Sequence, residues 1–142
     1  GNVNPLIPGE EEKLIAELKY LLGMEIPVIA SCNRVPEKDG HFVSCGVEVS
    51  RDTSLEEVKK LMQIPTLNLP SSPELVNNII EGKPTRDEHL WAGNGMTTTV
   101  GNVRVEGNII RFDALSHNTV RGAAGGVILL AELAVDESYI TK

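Results

Sequence analysis

Positive charge is scarce in this chain. Thirteen Lys and Arg stand against twenty Asp and Glu, a formal charge of −7, and no basic run exceeds two residues. Non-specific binding to nucleic acid or to an anionic membrane needs a basic footprint, so both are excluded as functions. Long apolar runs are missing too: none approaches the roughly 18–20 residues of a membrane span, and the N-terminus lacks the basic-then-apolar layout of a secretion signal. The expected location is the cytoplasm. Cysteine is limited to Cys32 and Cys45, without a C-x-x-C pattern or nearby histidine spacing, which argues against zinc and, in a reducing compartment, for two free thiols. No acidic cluster has metal-loop spacing and no Ser-His-Asp grouping has nucleophile-elbow glycines, so no metal ligands are assigned. Aromatics make up only 4%, leaving Leu, Ile and Val to build the core. An initiating methionine is also lacking: the opening Gly1-Asn2-Val3-Asn4-Pro5 reads as a fragment or a processed piece. The 142 residues suffice for one domain and are short for two.

What is present is patterned. After Pro5, Pro8 and Gly9, the run Glu10-Glu11-Glu12 precedes Leu14, Ile15, Leu18, Leu21 and Leu22, an amphipathic helix that is acidic at its positive end and closes at Gly23. Residues 26–35 and 41–49 read as two strands of a hairpin joined by Pro36-Glu37-Lys38-Asp39-Gly40. Ser54 and Glu57 form a capping-box start to a helix that ends before Pro65. Residues 63–95 are rich in Pro and Gly and read as loop, with a turn of helix after Ser72-Pro73. Residues 96–105 and 109–116 form a second strand pair around Glu106-Gly107-Asn108. Residues 119–135, small and apolar, read as a buried helix capped by Asn118 or Thr119. Strands arriving as hairpins rather than singly between helices predict an α+β fold with a mixed, largely antiparallel sheet covered by helices.

Four places could carry chemistry or bind a partner. Arg34 and His41 flank one loop, and by alternation Arg34 shares the face of Val28, Ala30 and Cys32 while His41 shares that of Val43 and Val47, both toward the covered side of the sheet. A guanidinium withdrawn from water wants an anion, and an imidazole exchanges a proton near neutral pH; a structural ion pair beside a half-buried histidine fits the same pattern. Glu17 sits at the edge of the first helix's apolar stripe, where it either reaches a cleft or is simply solvated. The segment Ser116-His117-Asn118-Thr119-Val120-Arg121-Gly122-Ala123-Ala124-Gly125-Gly126 opens a helix with small residues, which suits a bound ligand or close helix packing equally. In the irregular middle, His89 and Trp91 either line a partner surface or anchor a solvated loop.

Four stretches, by their order and spacing, resemble one family: N-P-L-I-P-G-E-E-E-K at 4–13, S-C-N-R-V-P-E-K-D-G-H at 31–41, G-N-G-M-T-T-T-V-G-N-V-R at 93–104 and S-H-N-T-V-R-G-A-A-G-G at 116–126. The chain resembles the C-terminal part of aspartate-semialdehyde dehydrogenase, in its archaeal and fungal branch, with the fold of the C-terminal catalytic domain of glyceraldehyde-3-phosphate-dehydrogenase-like enzymes. The resemblance implies that Arg34 holds the substrate's α-carboxylate, that His41 is the general acid/base, and that Glu17 binds substrate. The family's phosphate-binding lysine falls on Tyr20, with Lys19 beside it as the substrate-binding candidate, and the family's V-G-R-[IV]-R reads Val100-Gly101-Asn102-Val103-Arg104. Asn118 matches an asparagine near the nicotinamide carboxamide of NADP, with Gly122 close to the cofactor.

In such an enzyme a cysteine thiolate attacks the aldehyde, histidine helps remove the hydroxyl proton, hydride passes to NADP, and phosphate releases β-aspartyl phosphate; physiologically the reaction runs in reverse. The nucleophile loop and the nucleotide fingerprint have no counterpart in this chain. It is therefore expected to be a single domain, 1–142, with helix 119–135 packing against a missing nucleotide-binding half, inactive alone, and a homodimer or homotetramer in the complete enzyme. Two alternatives are an acyl-CoA reductase of the malonyl-CoA type and a non-catalytic oligomerisation module of the same fold.

Overall fold

A computed structural model describes residues 7–140; Pro5 and the first residues of the motif at 4–13 lie outside them. The chain divides into two compact units, one ending at Lys38 and one beginning at Asp39.

In the first unit, the acidic run starts helix α1, Glu10–Leu22, and Gly23 closes it in the left-handed region with φ 62°. The expected helix is present, yet none of its residues is buried. The strand expected over residues 26–35 does not form. Two local facts account for this. Pro27 has no N–H for a ladder, and the Cys32 N–H is donated to Glu11 Oε1 at 2.8 Å, so a group that a sheet would have used is spent on α1.

The second unit is a four-stranded sheet in the order β1-β4-β3-β2. Strand β1, His41–Glu48, therefore pairs not with an upstream hairpin partner but antiparallel with β4, Ile109–Ser116, from His41↔Ser116 to Glu48↔Ile109. Strands β3, Thr98–Glu106, and β4 form the expected hairpin across Gly107-Asn108. The middle region holds more structure than its Pro and Gly content suggests. Strand β2, Asn77–Ile79, runs parallel to β3, α3 spans Arg86–His89, and a 3-10 turn spans Ala92–Gly95. No helix follows Ser72-Pro73. The mixed, largely antiparallel sheet with helices agrees with the expected fold class.

Helix α2, Leu55–Leu61, starts as expected, with Ser54 Oγ accepting the Glu57 N–H at 3.1 Å. It buries Val58 against Val100 and Val103, with Ile110, Phe112 and Ala114 of β4 beside them. Cover ends there. On the same face of β1, Val43 and Val47 are 49% and 42% exposed. The last helix also differs from expectation. The chain first makes a π turn, Val120–Ala124, then α4, Gly125–Asp136, with no side-chain cap and only Leu129 buried. Glu132 ties α4 down by accepting from both the backbone N–H and the Oγ of Ser71, at 2.9 and 2.7 Å.

One buried carboxylate ties the strands together. Asp113, 4% exposed, accepts from Ser44 Oγ of β1 at 2.6 Å and from Asn102 Nδ2 of β3 at 2.7 Å. Asn102 reaches it from a β-bulge, where β3 shifts register between Gly101 and Arg104, with φ 53°. Burial drives the Asp113 pKa up, but the Ser44 and Asn102 bonds with the charges of Lys83 and Arg104 outweigh it, and the net shift is downward. A depressed native pKa contributes stability above the ordinary aspartate value of about 3.9, and that contribution is lost as pH falls through the native value. Removing the Asn102 donor should cost about 1–3 kcal/mol. Urea unfolding of Asn102→Ala checks that figure, and Asp113→Asn should flatten the acid side of the stability curve; a parent-like curve in either variant would contradict this account.

Candidate active site

The end of β4 gathers the chemistry-bearing groups of the second unit. Ser116, its last residue, lies opposite His41, the first residue of β1. The next residue, His117, turns inward and is 1% exposed. Its ring meets Trp91 edge-on with centroids 4.3 Å apart, and its Nδ1 lies 3.3 Å from Thr119 Oγ1. Its Nε2 has no partner among the described residues. Asn118 then points back across the sheet end, its Oδ1 accepting the Gly40 N–H at 2.7 Å. The His117 carbonyl accepts the Gly122 N–H at 3.1 Å, which bends the chain into the π turn and brings Gly122 back to the end of β4. Gly122 is exposed, and where a side chain would stand the nearest atom is that same carbonyl oxygen, 3.8 Å away.

The chain at His41 and at Asn118 thus meets at one end of one sheet, although 77 positions separate them, and Gly122 follows one turn later. The burial expected of His41 is corrected: its ring is exposed, because α2 covers β3 and β4 but not β1. Arg34, expected on a covered strand face, is exposed on a segment that is not a strand. The other two candidates lie with it in the first unit, both on α1. Glu17 is exposed and stands 3.8 Å from Lys13, one helical turn away, a solvated pair worth little. Lys19 is half-buried and donates to Glu25 at 2.7 Å.

Residue-by-residue reading overlooked two participants. In the sequence Gly40 reads only as loop punctuation, and His117 only as part of a helix start. A histidine directly after an eight-residue strand, followed by Asn and Thr, was the available signal for a buried anchor. Of the two caps expected, Asn118 has its oxygen committed to Gly40, and Thr119 stands at the N-cap position without a side-chain cap bond. Cys32 and Cys45 are free thiols. The Cys45 pKa is raised, first by burial and then by the Asp113 charge, so this thiol is a poor source of thiolate at neutral pH. Among the described residues no cluster of three or more His, Cys, Asp or Glu could hold a metal ion, and no helix is long and apolar enough to cross a membrane.

Residues 1–121 match the model of the semialdehyde dehydrogenase dimerisation domain, and the chain belongs to that family. Its relatives include the aspartate-semialdehyde dehydrogenase of Archaeoglobus fulgidus, 44% identical over 98% of this chain and 44% of that protein. The malonyl CoA reductase (NADP) of Metallosphaera sedula is 34% identical over 99% of this chain and 45% of that protein. Among solved structures, aspartate semialdehyde dehydrogenase with NADP from Candida albicans superposes with a TM-score of 0.81 at 31% identity, covering 98% of this chain and 46% of that one. The chain spans less than half the length of these relatives.

Because His117 fills its place entirely, truncation should leave a cavity beneath Trp91. His117→Ala is expected to cost about 2–4 kcal/mol, in the range of other large-to-small core changes, and to shift the emission of Trp91, the single tryptophan. Unchanged emission together with unchanged thermal unfolding would show that the ring anchors nothing.

Proposed function

We propose that this chain is the substrate-binding, acid/base and subunit-contact part of an NADP-dependent aspartate-semialdehyde dehydrogenase. The complete enzyme would interconvert aspartate semialdehyde, phosphate and NADP with β-aspartyl phosphate and NADPH, reductively in amino-acid biosynthesis, as a cytoplasmic homodimer or homotetramer. The observation that carries this reading is the meeting of His41 and Asn118 at one sheet end, in a chain so similar to an aspartate-semialdehyde dehydrogenase.

Each residue has a role suited to its chemistry. Arg34 would hold the α-carboxylate through a bidentate guanidinium contact, with Glu17 and Lys19 completing substrate binding. Lys19 must release Glu25 to do so, a small cost for a solvated pair. His41, with its ring open to solvent, would take the hydroxyl proton in the oxidative direction and return it in the reductive one. Asn118 and Gly122 fit the carboxamide end of a nicotinamide: one keeps an amide N–H pair for a polar contact, and the other leaves open space for a flat ring. NADP, when bound, supplies the hydride-accepting chemistry.

The thiolate nucleophile would come from the nucleotide-binding half, as the resemblance implies; neither Cys32 nor Cys45 matches it, and burial and Asp113 raise the Cys45 pKa. Val127, Ile128 and Leu130, which α4 leaves exposed, form the apolar face we assign to that half. With nucleophile and nucleotide fold lacking, this polypeptide alone should show no turnover.

The malonyl CoA reductase relative favours a second reading, in which the same acid/base end serves an acyl-CoA. Assays of the full-length protein separate the two: β-aspartyl phosphate should be reduced with NADPH and malonyl-CoA should not. In that protein His41→Ala should lower kcat by about 10²–10⁴, and Arg34→Ala should act mainly on the KM for aspartate semialdehyde. Robust turnover by residues 1–142 alone, or full activity in both variants, would refute the proposal.

A further inference from the structure

We infer that Asn118 is a positioning residue for His41 as well as a cofactor-facing one, the second role resting on the function proposed above. The bond from Gly40 to Asn118 is the basis. A backbone N–H only donates, so the atom facing it at 2.7 Å has to be the amide oxygen, and the orientation of the Asn118 side chain is settled by chemistry. Gly40 is the residue immediately before His41. It lies at φ 118°, which side chains other than glycine's rarely adopt, and a Cβ there would stand 3.3 Å from Leu90 Cδ1 and 3.7 Å from Leu115 Cδ1. Its backbone is therefore held on one side by packing and on the other by Asn118.

The His41 side chain has no hydrogen bond or ion pair among the described residues, so what the fold sets is the main chain from which the ring projects. That main chain is set by the Gly40 clamp before it and by its register with Ser116, two residues before Asn118. One stretch, Ser116 to Asn118, fixes the acid/base residue twice.

The clamp also sets what Asn118 can recognise. The Gly40 N–H fixes which way the amide faces, so Oδ1 is turned to the loop and the Nδ2 hydrogens, which only donate, are turned away from it. Asn118 would therefore take the carbonyl oxygen of a carboxamide rather than its amine. Acid/base geometry and cofactor contact are then two ends of one rigid amide, and a shift at either is felt at the other.

Asn118→Asp and Asn118→Ala in the full-length protein separate these roles, because aspartate keeps an acceptor for Gly40 and loses the donor, while alanine loses both. Amide hydrogen exchange at Gly40 should be slow in the parent and in Asn118→Asp and at least about tenfold faster in Asn118→Ala, the factor expected for roughly 1.4 kcal/mol of lost protection. Both variants should raise the KM for NADP about tenfold, and kcat should fall further in Asn118→Ala than in Asn118→Asp. Unchanged Gly40 exchange in Asn118→Ala, or identical kcat in the two variants, would overturn the positioning role. Loss of Gly40 protection in Asn118→Ala with the KM for NADP unaltered would keep the clamp and remove the cofactor contact. The exchange measurement needs no turnover, so it decides the clamp even if the proposed dehydrogenase activity fails.

Discussion

A carboxylate without water has to be satisfied by its neighbours, and Asp113 is satisfied by one residue from each adjoining strand. That requirement couples three strands at one point. Ser44 sits directly across from Asp113 on β1, and Asn102 reaches it from the bulge on β3. Side chains alternate between faces, so a slip of one residue in either pairing would turn the partner away and leave a buried charge unpaired. The hydrophobic pattern alone could not enforce this on β1, where Val43 and Val47 are poorly covered. The polar tie supplies the register that burial does not.

Register at Asp113 then propagates to the candidate site. Three positions further along β4, Ser116 meets His41 because Ser44 meets Asp113. With the strand ends aligned, Asn118 falls within reach of Gly40, and the carbonyl of the intervening His117 folds the chain back to Gly122. His41 is exposed and Asn118 half-buried at the strand ends, while the interiors of β3 and β4 carry the packing against α2. Packing and the candidate site are thus drawn from different parts of one sheet.

Local elements were largely legible in the sequence and long-range pairings were not. Strand β4 was read to its end residues, the Ser54 start of α2 to the capping atom, and α1 from its acidic run to Gly23. These depend on neighbours within about four positions, where propensity and capping act. The segment 26–35 alternates well enough to be read as a strand, but whether it becomes one depends on whether its N–H groups find a ladder, and the Cys32 N–H finds Glu11 instead. Likewise β2 is three residues whose only argument for being a strand is the parallel edge of β3. At the site, motif resemblance picked out His41 and Asn118, but not the bond joining their neighbourhoods, because nothing local in 116–118 says where the asparagine oxygen will point.

The departure at Asn102 has a physical reading in the same terms. A residue at φ 53° lies where asparagine is tolerated far better than longer side chains, because its short amide can bond locally. Asparagine there donates a neutral hydrogen bond to Asp113 and leaves cationic compensation to Lys83, 3.9 Å from the carboxylate, and to Arg104 on the same strand. An arginine at that bulge would bring its own charge to Asp113 but would have to adopt the left-handed backbone to do so. This chain divides the task, with a short side chain to make the bulge and saturate the carboxylate, and more distant cations to offset its charge. The replacement is therefore compatible with an intact sheet end and with the acid/base role proposed for His41, 61 positions upstream.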